Sequence, residues 1–84
     1  MIIKVEVTAK DIANGKRMQF LTCPVARAIR RATGKKWWVR TKSTHCNDGN
    51  SVMLSAKVCK WISRFDGGHA VNPFSFTIRF RNAS

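Results

Sequence analysis

The chain has 84 residues, of which 44% are hydrophobic, a size and composition that suit one small core. Sixteen Lys and Arg residues stand against four Asp and Glu residues, so the formal net charge is +12. So few acids, with no evident pair for acid–base chemistry, argue against an enzyme. We expect a single basic domain over residues 1–84 whose surface attracts a polyanion.

The start of the chain and the cysteines indicate where in the cell the protein is located. Met1 leads directly into a strand-like pattern rather than the apolar run of a signal peptide. No stretch approaches the roughly 18 apolar residues of a membrane span. Three cysteines without regular spacing favour reduced thiols. We therefore expect a cytoplasmic protein with no membrane partner.

The chain opens on a predicted strand followed by a helical turn. Residues 2–8 alternate in polarity, as a half-buried strand does. The apolar face of this strand consists of Ile3, Val5 and Val7. Thr8 followed by Asp11 resembles a capping box, which predicts one helical turn over residues 9–13.

The clearest helix is predicted over residues 24–33. Pro24 suits the first helical position, and Gly34 suits a left-handed stop. The apolar stripe of this helix consists of Val25, Ala28, Ile29 and Ala32. Its other positions, with the two residues after Gly34, carry the cations Arg27, Arg30, Arg31, Lys35 and Lys36.

The second half of the chain predicts four further elements and one turn. Residues 36–41 predict a strand, and residues 47–50 a turn into a short strand over 51–54. A helix is predicted over residues 56–65 and a last strand over 74–80. The apolar positions of that helix and strand are Val58, Trp61, Ile62 and Phe65, then Phe74, Phe76, Ile78 and Phe80.

This order of elements predicts an α+β fold. Strand, helix, strand, strand, helix, strand is the order of the ferredoxin-like (βαββαβ) arrangement. We expect a four-stranded, mainly antiparallel sheet with two helices on one face.

The face of the sheet away from the helices is one candidate anion-binding surface. A Trp beside Arg and Lys is typical of platforms for single-stranded nucleic acid, where bases stack on the ring. Alternatively, Trp38 lies in the core and Trp37 is exposed, or both pack under a loop. The candidate residues of this face are Trp38, Arg40, Lys42, Arg79 and Arg81.

A second candidate surface lies at the end of the first long helix. Its cations are suited to gripping phosphates, or they form a solvated helix face with favourable charge near the C-terminus. The candidate residues are Arg27, Arg30, Arg31, Lys35 and Lys36.

The cysteines and histidines are the remaining candidates for reactive or ligand groups. Cys23 falls at a helix N-cap, where backbone N–H groups lower a thiol pKa or hold an anion, although a small buried Cys is the commoner role. The side chains of zinc-ligand type are Cys23, His45, Cys46, Cys59 and His69. Their spacing contains no paired element, so neither a metal nor any other cofactor is predicted.

Four landmarks resemble a group of short proteins encoded by tailed phages and prophages. They are D-I-x-x-G at residues 11–15, C-P-V-A at 23–26, R-F-D-x-G at 64–68 and P-F-S-F at 73–76. The resemblance implies a phage-type protein in the host cytoplasm, without implying an activity or site residues. Such an origin implies either accessory nucleic-acid binding or inhibition of host machinery or defence.

Charge and pattern together favour nucleic-acid binding through phosphates, RNA or DNA, with base stacking on Trp38 if single strands are preferred. The alternative is a host-directed inhibitor that docks on an acidic host protein or sequesters an anionic nucleotide signal.

Overall fold

The structure is a computed structural model that describes residues 2–17, 19, 21–40 and 42–79. The strands are β1 (Ile2–Val7), β2 (Trp37–Val39), β3 (Ser43–Cys46), β4 (Ser51–Met53) and β5 (Phe74–Arg79). The helices are α1 (Ala9–Asn14), α2 (Pro24–Thr33) and α3 (Ala56–Asp66). The α+β class is confirmed.

The described strands form two antiparallel sheets rather than one sheet of four strands. β1 pairs with β5, and β2, β3 and β4 form a separate three-stranded meander. The expected four-stranded, ferredoxin-like sheet is therefore corrected to a two-stranded and a three-stranded sheet. The first and last strands do pair, as that arrangement requires.

The extra strand, β3, arises from an early chain reversal. β2 ends at Val39, and the Arg40 N–H donates to the Ser43 carbonyl at 2.7 Å, which starts the return strand. β3 has the sequence Ser-Thr-His-Cys, whose polar residues do not by themselves predict a strand. Its buried Thr44 is satisfied because its hydroxyl donates to the Trp38 carbonyl at 3.0 Å.

The helix ends follow the expected capping chemistry. Thr8 and Asp11 form the capping box of α1, and Ser55 caps α3 through the Val58 N–H. At α2, the Cys23 sulfur accepts from the Ala26 N–H at 3.4 Å, and Gly34 ends the helix at φ 70°. The predicted capping box of α1, the Cys23 N-cap and the Gly34 stop are confirmed.

α2 is the element that joins the two sheets, because it packs against both β1 and β2. Its buried face includes Val25 and Ile29, and it meets Val5 of β1 and the fully buried Trp37 of β2 in one core. The alternation predicted for β1 is confirmed by this burial pattern.

α3 and β5 meet through aromatic rings. Trp61 lies 4.8 Å from Phe74 between ring centroids, and its Nε1 donates to the Asn72 carbonyl at 2.9 Å. Val58, Ile62 and Phe65 of α3 are buried, as expected. Phe80, predicted for the core, lies outside the described residues. Within those residues, no helix has the length and apolar composition of a bilayer crossing.

Candidate nucleic-acid interface

The three-stranded sheet has one face in the core and one face open. Cross-strand pairing places Trp38, His45 and Ser51 in one row, and Ser43 opposite Met53 in the next. The alternating residues point inward, and Trp37, Val39, Thr44 and Cys46 are all buried. We call the side that carries Trp38, Ser43, His45, Ser51 and Met53 the open face.

Trp38 forms the centre of the open face together with His45. The two rings stack with centroids 5.9 Å apart and planes inclined by 22°, and both side chains are half-buried. Ser43 Oγ lies 2.9 Å from His45 Nε2, and this hydrogen bond restrains the orientation of the imidazole. Met53 is 74% exposed, which adds an apolar thioether to the same surface. One side of the indole is thus supported, and part of it stays in contact with solvent.

Two candidate cations lie at one end of the open face. Arg40 follows β2 directly, and Lys42 precedes β3; both side chains are exposed. The backbone of this turn is held on both sides, since Arg40 N–H bonds to Ser43 and the Lys42 carbonyl accepts from the Leu54 N–H at 2.9 Å. Alternation along the hairpin places Arg40 on the same side of the sheet as Trp38, and Lys42 lies in the adjoining turn.

Arg31 is engaged within the fold. Its guanidinium grips the Asp11 carboxylate at 2.8 and 2.7 Å and also donates to the Glu6 carbonyl at 2.8 Å. Arg27 Nε lies 3.8 Å from the same carboxylate. Asp11 itself is 1% exposed and caps α1. This Asp11 clamp ties α1, α2 and β1 together, a role that sequence analysis did not assign to any arginine.

The clamp changes the pKa of Asp11. Hydrogen bonds from Arg31, reinforced by the Thr8 N–H, lower the pKa of Asp11 to about 2 even though burial opposes ionisation. The same pairing raises the pKa of Arg31. Beside the clamp, α2 and β1 line an open groove of about 270 Å³.

The remaining cations predicted at the end of α2 do not share one site, because each has different neighbours. Lys35 Nζ lies 2.9 Å from Asp48 Oδ2 and so joins the end of α2 to the β3–β4 turn. The Asn50 N–H and Lys35 lower the pKa of Asp48. Arg30 is exposed and donates to the Leu21 carbonyl at 3.5 Å. Lys36 is also exposed, but it precedes β2 whereas Arg40 follows it, a separation of roughly 13 Å along an extended chain.

Arg79 lies on the other sheet. It is exposed at the end of β5, opposite Ile2, on the side of the two-stranded sheet that carries Lys4 and Glu6. Arg81 lies outside the described residues. Of the predicted residues, the structure thus brings together Trp38, Arg40 and Lys42, and it keeps Arg31 and Lys35 on acidic partners.

The cysteines do not assemble into a site in the described part of the chain. All three are free, and burial raises the pKa of the Cys23 and Cys46 thiols, which opposes thiolate chemistry. No cluster of three Cys, His, Asp or Glu side chains suited to a metal is found among residues 2–17, 19, 21–40 and 42–79.

Sequence reasoning missed His45 and Met53 as parts of this face because it missed β3 and therefore the cross-strand rows. A sequence-level hint was present, since Thr44 and Cys46 alternate with Ser43 and His45 between two turn segments.

The chain is thus a basic α+β protein with an aromatic residue and cations on an exposed sheet face. No protein-family model and no curated protein matches its sequence, and no solved structure matches its fold.

Proposed function

We propose that this protein binds nucleic acid through phosphate contacts, with an unpaired base stacking on Trp38. The observation that carries the proposal is the open face, where a half-buried indole stacked on His45 lies on the same side of the sheet as Arg40 and next to the turn that carries Lys42. Aromatic rings on an open sheet offer every base a stacking surface, and neighbouring cations follow the backbone.

The charge balance supports a polyanionic ligand. Acids of the described residues already lie in ion pairs within the fold, namely Glu6 with Lys4, Asp11 with Arg31, and Asp48 with Lys35. The net charge of +12 therefore leaves a large excess of cations over internal partners. Such an excess repels itself in the free protein, and binding to phosphates relieves the repulsion.

The first test is a binding titration over a salt series with labelled single- and double-stranded DNA and RNA of one sequence. We expect micromolar or tighter binding to single strands near physiological salt. Log affinity should fall linearly with log salt, with a slope of about −0.7 for each phosphate contacted on a single strand. Polyglutamate of similar length is the control for a non-specific polyanion. Absence of binding to every nucleic acid at about 150 mM salt would overturn the proposal and direct the search to an acidic protein partner.

The second test replaces Trp38 by alanine. We expect single-strand binding to weaken by about 1–3 kcal/mol, since one base–aromatic stack is lost. Trp38→Phe should retain most of the affinity because a ring remains. Trp61→Phe is a matched control, since Trp61 is also half-buried but packs between α3 and β5. The folding of Trp38→Ala is checked by circular dichroism. If the folded variant binds with unchanged affinity, no base stacks on Trp38.

A further inference from the structure

α3 carries a second set of exposed cations, outside the open face. Lys57, Lys60 and Arg64 are spaced by three and four residues, which places them on one side of the helix. All three side chains are exposed, whereas Val58, Ile62 and Phe65 are buried on the other side. We call these three cations the α3 basic face.

The α3 basic face lacks the acids that accompany a solvated lysine-rich helix. Glu or Asp usually alternates with Lys on such faces and forms pairs four residues apart. In α3 the one acid is Asp66, the last residue of the helix. Lys57 also lies in the first turn, where the helix dipole disfavours a cation, and that turn has no acid. Departures from local charge preference are expected at functional or strained sites.

The α3 basic face begins next to the open face. The hydrogen bond from Leu54 N–H to the Lys42 carbonyl, 2.9 Å long, ties the start of the α3 segment to the turn that carries Arg40 and Lys42. From Lys57 to Arg64 the helix advances by roughly 10 Å. Beyond its end the Arg17 guanidinium lies against Gly68, where an added Cβ would be 3.2 Å from Nη1.

We infer that the α3 basic face is a second phosphate-binding surface, continuous with the open face, for the backbone of the strand whose base stacks on Trp38. This inference rests on the proposed function and adds to it a direction for the bound strand and a larger site. The occupant is the sugar–phosphate backbone of single-stranded nucleic acid, because the face offers three cations, and the ring of the neighbouring Trp61 is packed against Phe65 and Phe74. The Trp61 ring is therefore engaged within the fold, whereas a phosphate meets three exposed cations on one side of the helix.

The test is the double charge reversal K57E/K60E, compared with K10E/K16E. Both variants lower the net charge by the same amount, and Lys10 and Lys16 are exposed near α1, far along the chain from α3. Glu in the first turn of α3 suits the helix dipole, so the fold should be retained. Affinities are measured over a salt series for single-stranded oligonucleotides of about four and about sixteen nucleotides, the range of site sizes found on comparable platforms.

We expect K57E/K60E to lower the log–log salt slope for the longer oligonucleotide by about 1.4, because two phosphate contacts are lost. The slope of K10E/K16E should stay close to that of the unmodified protein. With the short oligonucleotide, which the open face alone accommodates, the two variants should bind alike. Equal losses in both variants on the longer oligonucleotide would overturn the inference and leave only a general field effect. Failure of the unmodified protein to bind any nucleic acid would instead overturn the proposed function.

Discussion

Trp37→Ala is expected to lower the free energy of unfolding by about 3–5 kcal/mol, the usual effect of truncating a buried Trp. Trp37 is fully buried in β2, within the core that α2 shares with both sheets. The free energy of unfolding of a small domain is about 5–15 kcal/mol in total, so this loss is a large fraction of it. Urea denaturation followed by circular dichroism measures it.

The adjacent residue provides the matched control. Trp38 has the same side chain but is half-buried on the open face, so Trp38→Ala should shift the urea midpoint much less than Trp37→Ala. Its main effect should fall on single-strand binding, as proposed above. If the two variants lowered stability equally, the assignment of one indole to the core and the other to the open face would be wrong.

Asp11→Ala is expected to lower the free energy of unfolding by about 2–3 kcal/mol. The substitution removes the α1 capping contact and leaves Arg31 without its carboxylate. Breaking a fully buried ion pair costs about 3–5 kcal/mol, but the Arg31 side chain is half exposed, and water compensates part of the loss. Arg31→Ala and the double variant complete a mutant cycle. Additive losses would show that the two side chains do not stabilise each other.

The same clamp predicts how stability depends on pH. The pKa of Asp11 is lowered to about 2 in the folded protein, so the unfolded chain binds this proton more readily. The contribution of Asp11 is therefore complete above about pH 5 and is lost as the pH falls towards 2. Acid unfolding of the unmodified protein should show this loss. Asp11→Ala should flatten the profile in that window, and an unchanged profile would contradict the clamp.

Elements whose physics is local could be predicted from the sequence. α2 begins at Pro24 and ends at Gly34 as expected, because the missing N–H of proline and the positive φ of glycine act within one turn. The alternation of β1 and β5 likewise predicted which side chains of residues 2–7 and 74–79 turn inward. Period-two alternation predicted that Trp38 and Arg40 lie on the opposite face from Trp37 and Val39, but it left open which of the two indoles is buried.

The features that could not be predicted from the sequence depend on contacts between residues that are distant in the chain. β3 was missed because its residues are mostly polar, and the burial of Thr44 depends on the hydrogen bond from its hydroxyl to the Trp38 carbonyl on the neighbouring strand. Arg31 was predicted as a surface cation, yet Asp11, twenty residues earlier, holds it in the fold. His45 supports Trp38 only because the register of β2 and β3 aligns them.

By itself, then, the amino-acid sequence determined the basic character of the protein, its α+β class and the limits of its helices, since composition, capping and periodicity are local properties. The tertiary structure decided how the strands divide into two sheets, which indole faces solvent and which arginines stabilise the fold. These features follow from pairings across the chain, where packing and hydrogen bonding outweigh local preference.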